Sequence, residues 1–87
     1  METVELRVDT SRRRIADLTA EARAFCRGKG DGLLNVFAPH ATAGLALIET
    51  GSGSEADLEA ALERLLPHDD RLYAHRHGSP GHGADHL

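Results

Sequence analysis

Histidine is the residue type of this chain with the most chemical potential near neutral pH. An imidazole with an ordinary pKa of about 6.5 can exchange protons or bind a metal there. The chain has six histidines in 87 residues. His40 stands apart, and the other five fall within residues 68–87: His68, His75, His77, His82 and His86.

The histidine-rich segment has three interpretations. Neutral imidazole is the commonest metal ligand, so the segment is typical of a transition-metal site. One or two of these histidines could instead face a cleft as general acid or base, or the segment could be a flexible polar end. His82 and His86 have H-x-x-x-H spacing, but Gly83 between them predicts a loop, in which that spacing has little meaning.

His40 lies at the start of a turn of small residues that could receive an anion. It follows the apolar run 33–38 and Pro39, and it precedes Ala41-Thr42-Ala43-Gly44. The Thr42 hydroxyl and the backbone N–H groups of the turn suit a phosphate. The competing interpretation is an ordinary turn with a solvated imidazole.

Glu49 ends the next apolar run, 45–48. If the runs on either side of the turn pair as a hairpin, the Glu49 carboxylate emerges beside His40. There it could orient the imidazole, raise its pKa or share a metal. The alternative is a surface acid at the end of a strand.

Strands and helices must position these side chains. Val4, Leu6 and Val8 alternate with charged residues, which predicts a half-buried strand. The two apolar runs around His40 predict two more strands. Helical spacing predicts one helix between Thr19, as its N-cap, and Gly28, as its stop.

A second helix is predicted from Ser54, with a capping box formed with Asp57, to its stop at Pro67. The order of elements predicts an α+β fold, a small mixed β-sheet with two packed helices. Residues 1–67 are predicted to form the core, and residues 68–87 a His/Gly-rich polar segment of the same single domain.

The composition excludes several classes of function. The formal net charge is −4, so the chain lacks the basic footprint of a nucleic-acid-binding protein. No apolar run approaches the ~18 residues of a membrane span. The N-terminal residues do not resemble a signal peptide, and the single cysteine favours a cytoplasmic protein.

The stretch from Leu34 to Glu49 resembles the hallmark of the YjbQ-like family, a strand, a His-Thr-Thr-Ala-Gly turn and a second strand ending in Asn-Glu. Tyr73-x-His75 and the final Asp85-His86-Leu87 also follow the family's order. The resemblance covers nearly the whole chain.

This resemblance implies an α+β fold, a homotrimer and a secondary thiamine-phosphate synthase activity. That reaction joins a pyrimidine diphosphate to a thiazole phosphate and releases pyrophosphate. The roles implied for residues of this chain are as follows: His40, Glu49 and His75 for catalysis; Thr42, Ala43 and Gly44 for phosphate binding; His40, His75 and His86 for a divalent metal, Zn²⁺ or Mg²⁺.

The chain departs from the family pattern at Ala41 and Ile48, where the family usually has Thr and Asn. Family members also continue through further strands beyond the position of Leu87. We therefore expect either a truncated chain or a sheet completed by another subunit. The expected partners are small phosphorylated substrates. An enzyme is the first hypothesis. The alternative is a non-catalytic metal-binding or assembly module, with His75, His77, His82 and His86 as a loose transition-metal site.

Overall fold

The computed structural model describes residues 1–87 and contains helices but no β-strand. Helix α1 spans Thr19–Cys26, α2 spans Ser54–Leu65 and α3 spans His82–Asp85, with a 3₁₀ helix at Asp70–Leu72 before α3. The chain divides into two compact units, Met1–Val36 and Phe37–Leu87.

The predicted α+β fold with a mixed sheet is wrong. Residues 4–8, 33–38 and 45–48 form no strand. Their apolar side chains are largely exposed; Val4 is 59% and Leu47 104% exposed. A strand exists only when its N–H and C=O groups pair with those of another strand, and none of these segments pairs in this way. Alternation in the sequence indicates which face would be buried, but it does not supply the partner.

In the first unit, α1 occupies nearly the predicted residues, with a different cap. Thr19 is the first helical residue rather than the N-cap. Its backbone N–H and its hydroxyl both donate to the Asp17 Oδ1 atom, at 2.9 and 2.6 Å. These two hydrogen bonds, hydroxyl first, hold the pKa of Asp17 below its usual 3.8. The helix ends just before Gly28, whose φ of +73° fits the predicted stop.

In the second unit, α2 begins at Ser54, as predicted, and ends two residues before Pro67. The predicted capping box is absent, because no side chain caps the helix and the N-cap is Gly53. Leu58, Ala61 and Leu62 of this helix are half-buried, whereas Leu65 is 75% exposed. None of the helices of the chain is long and apolar enough to cross a membrane.

The segment after Pro67 folds onto itself through short-range contacts. The Tyr73 hydroxyl donates to the Pro67 carbonyl at 2.7 Å. The Asp70 carboxylate accepts a hydrogen bond from the Gly81 backbone N–H at 2.8 Å, which ties the 3₁₀ helix to the start of α3. Gly83 and Ala84 of α3 are buried, and Ala84 is the one buried apolar residue of the chain. These contacts set where the histidines lie.

Candidate metal centre

Three imidazoles converge in the last segment of the chain. One ring nitrogen from each of His75, His82 and His86 lies within 4.8 Å of the other two. His82 is the first residue of α3, and His86, four residues later, is the residue after its end and keeps a helical backbone conformation. The two side chains therefore lie on one face. His75 lies in the loop after the 3₁₀ helix. His75 and His82 are half-buried and His86 is exposed.

The spacing of His82 and His86 is close to that of two ligands of a tetrahedral metal ion. The Nε2 atoms of His82 and His86 are 2.9 Å apart. Two imidazole nitrogens at about 2.0–2.1 Å from Zn²⁺ are about 3.3 Å apart, so only a small adjustment of the rings is needed. Without a metal, a contact between two ring nitrogens requires one to donate N–H and the other to accept.

His77 adds a fourth ring at the edge of this group. Its Nε2 atom is 2.9 Å from the His75 Nε2 atom, and the two ring centroids are 4.0 Å apart. Its ring lies farther from those of His82 and His86, at 5.8 and 5.9 Å. His77 therefore contacts the three-histidine group through His75.

The surroundings of His75 favour its neutral form. Burial lowers the pKa of His75 below its usual 6.5, and the neighbouring imidazoles, His77 first, lower it further. Arg76 adds a smaller effect of the same sign. Only the neutral ring has a lone pair to offer, so His75 is ready to bind a metal at neutral pH.

We expect His75 to titrate below pH 6.5 in the metal-free protein, and His77→Ala to raise its midpoint. Between the lowered pKa and 6.5 the unfolded chain binds more protons at this residue than the folded chain. The contribution of His75 to the free energy of unfolding therefore declines as pH falls through 6.5. NMR titration of the His75 ring proton measures the midpoint, and a value at or above 6.5 would contradict the expectation.

A shallow cavity adjoins the cluster and is lined in part by His75, His77 and Arg76. The Arg76 guanidinium donates to backbone carbonyls of its own loop, at Tyr73 and, at 2.9 Å, at His75. These hydrogen bonds hold a positive charge near the cavity. Such an arrangement suits an anionic ligand better than a neutral one.

His40 lies outside the three-histidine group. Its Nδ1 atom accepts a hydrogen bond from the Thr42 N–H at 3.2 Å, and the Thr42 hydroxyl lies 3.1 Å from the same nitrogen. The neutral ring therefore carries its proton on Nε2. The Ala43 N–H donates to the His40 carbonyl at 3.3 Å, so two of the backbone donors expected to bind phosphate are already engaged.

The remaining expected site residues lie apart from the cluster. Glu49 is exposed and makes no hydrogen bond or ion pair with His40. Gly44 has open space around its α-carbon. Of the three residues expected to bind metal, His75 and His86 come together and His40 does not join them.

His82 was not among the metal ligands implied by the family resemblance, and only the alternative hypothesis of a metal-binding module included it. Gly83 suggested a loop, but residues 82–85 are helical. Residues four apart in a helix are neighbours on its surface, so the H-x-x-x-H spacing brings the two imidazoles together. The spacing itself was the signal that could have identified His82.

A comparison with known families gives one decisive match. The family model described as "UPF0047 protein YjbQ-like" matches residues 3–87. The chain belongs to the YjbQ-like family. The resemblance noted in the sequence is thereby confirmed.

Curated relatives of this YjbQ-like chain come from mycobacteria. It is 67% identical, over all of its 87 residues, to UPF0047 protein Rv2556c of Mycobacterium tuberculosis (strain ATCC 25618 / H37Rv), and it covers 65% of that relative. It is 68% identical over 82 residues, 94% of the chain, to UPF0047 protein Mb2586c of Mycobacterium bovis, and it covers 63% of that protein. The chain thus spans less than two thirds of these relatives. No solved structure matches it.

Proposed function

We propose that this chain carries the metal site of a secondary thiamine-phosphate synthase-like enzyme, with His75, His82 and His86 as ligands. The observation that supports the proposal is the convergence of three imidazole nitrogens within 4.8 Å. The reaction itself is taken from the family resemblance.

The donor set favours Zn²⁺ over Mg²⁺. All three donors are imidazole nitrogens, which suit zinc and its neighbours among the transition metals. Magnesium prefers oxygen ligands, and Asp85, the last residue of α3, is not a member of the three-residue group. Three protein ligands also leave a fourth position of a tetrahedral ion open, as in catalytic zinc sites.

The reaction needs its leaving group stabilised. The bond between the pyrimidine's methylene carbon and the diphosphate oxygen breaks, and pyrophosphate leaves with the electron pair. The thiazole nitrogen forms the new bond to that carbon. A bound metal supplies positive charge to the departing pyrophosphate.

The protein's own residues complete the anion contacts in this proposal. Arg76, beside the cavity near His75, attracts the phosphorylated substrates to that side of the cluster. His40 donates its Nε2–H to a phosphate oxygen, because the Thr42 N–H fixes its Nδ1 atom as the acceptor. The homotrimer implied by the resemblance is part of the same proposal.

The test measures metal content and turnover on the same preparation. We expect about one Zn²⁺ per chain, formation of thiamine phosphate from the two precursors, and loss of both after chelation. His40→Ala should keep the zinc and lose turnover. A chain that binds no zinc would refute the proposal. Stoichiometric zinc without any thiamine phosphate would favour the alternative, a non-catalytic metal-binding or assembly module.

A further inference from the structure

The Asp85 carboxylate lies between two imidazoles, although it is not one of the three converging ligands. Its Oδ1 atom is 2.9 Å from the His68 Nε2 atom. Its Oδ2 atom is 3.9 Å from the His82 Nδ1 atom. The carboxylate thus connects a ligand of the cluster to a histidine outside it.

We propose that Asp85 is a positioning residue that orients the metal ligand His82, and that His68 holds Asp85 in place. This inference rests on the metal site proposed above. It assigns a function to His68 and Asp85, which are not themselves metal ligands.

The two nitrogens of the His82 ring face different partners. Nε2 lies against His86 inside the cluster, at 2.9 Å, whereas Nδ1 faces Asp85. A ring that binds metal through Nε2 must carry its proton on Nδ1, and the nearby carboxylate stabilises that tautomer. Metal-binding histidines commonly donate their second N–H to a carboxylate in this way. The 3.9 Å separation is about 1 Å longer than a hydrogen bond, and the proposal requires it to shorten when the ring binds the metal.

His68 is itself held from two sides. Its Nδ1 atom is 3.8 Å from the Glu63 Oε1 atom near the end of α2. A Cβ atom on Gly81 would lie 3.2 Å from the His68 ring, so the backbone before α3 passes close to it. Acids and imidazoles therefore alternate from α2 to the cluster, in the order Glu63, His68, Asp85 and His82.

The test measures Zn²⁺ affinity by competition with a chelator. Asp85→Ala should weaken zinc binding about 10- to 100-fold, the usual effect of losing such a partner. Asp57→Ala removes an acid from α2, outside the network, and should leave the affinity unchanged. His68→Ala should also weaken binding, whereas His68→Gln should restore most of it, because its amide N–H can donate to Asp85.

A second measurement does not depend on the stability of any variant. ¹H–¹⁵N NMR of the zinc-loaded chain should show His82 protonated at Nδ1 and bound to the metal through Nε2. Zinc bound through Nδ1 of His82, or wild-type affinity in Asp85→Ala, would overturn the role of Asp85 and leave the metal site intact. A wild-type chain that binds no zinc would overturn both.

Discussion

Replacing His75 by alanine should weaken Zn²⁺ binding more than about 100-fold. Loss of an outer partner typically costs about 10- to 100-fold, and a direct ligand contributes more. The two ligands that remain are His82 in α3 and His86 directly after it, and they cannot complete the three-nitrogen set alone. Isothermal titration calorimetry of the purified chain, at a pH where the histidines are neutral, measures this change.

His40→Ala is the matched control, since it removes an imidazole outside the cluster. Its zinc affinity should equal that of the unmodified chain. If His40→Ala abolished zinc binding and His75→Ala did not, the metal would lie at the turn after Pro39 and the proposed centre would be wrong.

The second large effect that we expect is a loss of stability in the variant Gly83→Val. A Cβ atom at this buried position would lie 3.0 Å from the Tyr73 Cβ atom and 3.2 Å from its ring. The Tyr73 ring cannot easily move away, because its hydroxyl donates a hydrogen bond to the Pro67 carbonyl. We expect a loss of about 1–3 kcal/mol in the free energy of unfolding, as for other overpacked sites.

Zinc affinity should fall in the same variant. Tyr73 is two residues before His75, and Gly83 directly follows His82, so forcing them apart separates the ligands. Gly32→Val is the control, because Gly32 has open space around it. Denaturant unfolding and zinc titration of both variants measure the effects. A Gly83→Val chain with unchanged stability and zinc affinity would show that the contact with Tyr73 does not hold the site together.

Helices α1 and α2 were predicted from the sequence, whereas the sheet that the sequence predicted is absent. Helix α2 forms its hydrogen bonds within itself, so Ser54 and Pro67 suffice to indicate its limits. The segment around Val4, Leu6 and Val8 has the pattern of a strand, but a strand needs a partner that its own residues do not specify. Local signals therefore predicted the two longer helices correctly, and they predicted strands wrongly because strand formation depends on distant pairing.

The candidate site was predicted only in part, because one of its ligands depends on a helix that local signals did not predict. His75 and His86 were identified through the family resemblance, and the structure brings them together. His82 was discounted because glycine disfavours helices. Burial of Gly83 against Tyr73 outweighs that preference and makes α3 helical, which no count of residue types along the chain could have indicated.

Of the three proposed ligands, His75 lies inside the loop that the Asp70–Gly81 hydrogen bond closes, and His82 and His86 follow that loop within the next five residues. An ion bound there acts as a cross-link across a short span of chain, and closing such a span costs little conformational entropy. Its binding energy is therefore used mainly to order the residues around α3. In such a chain the metal fixes one loop and does not set the stability of the whole molecule.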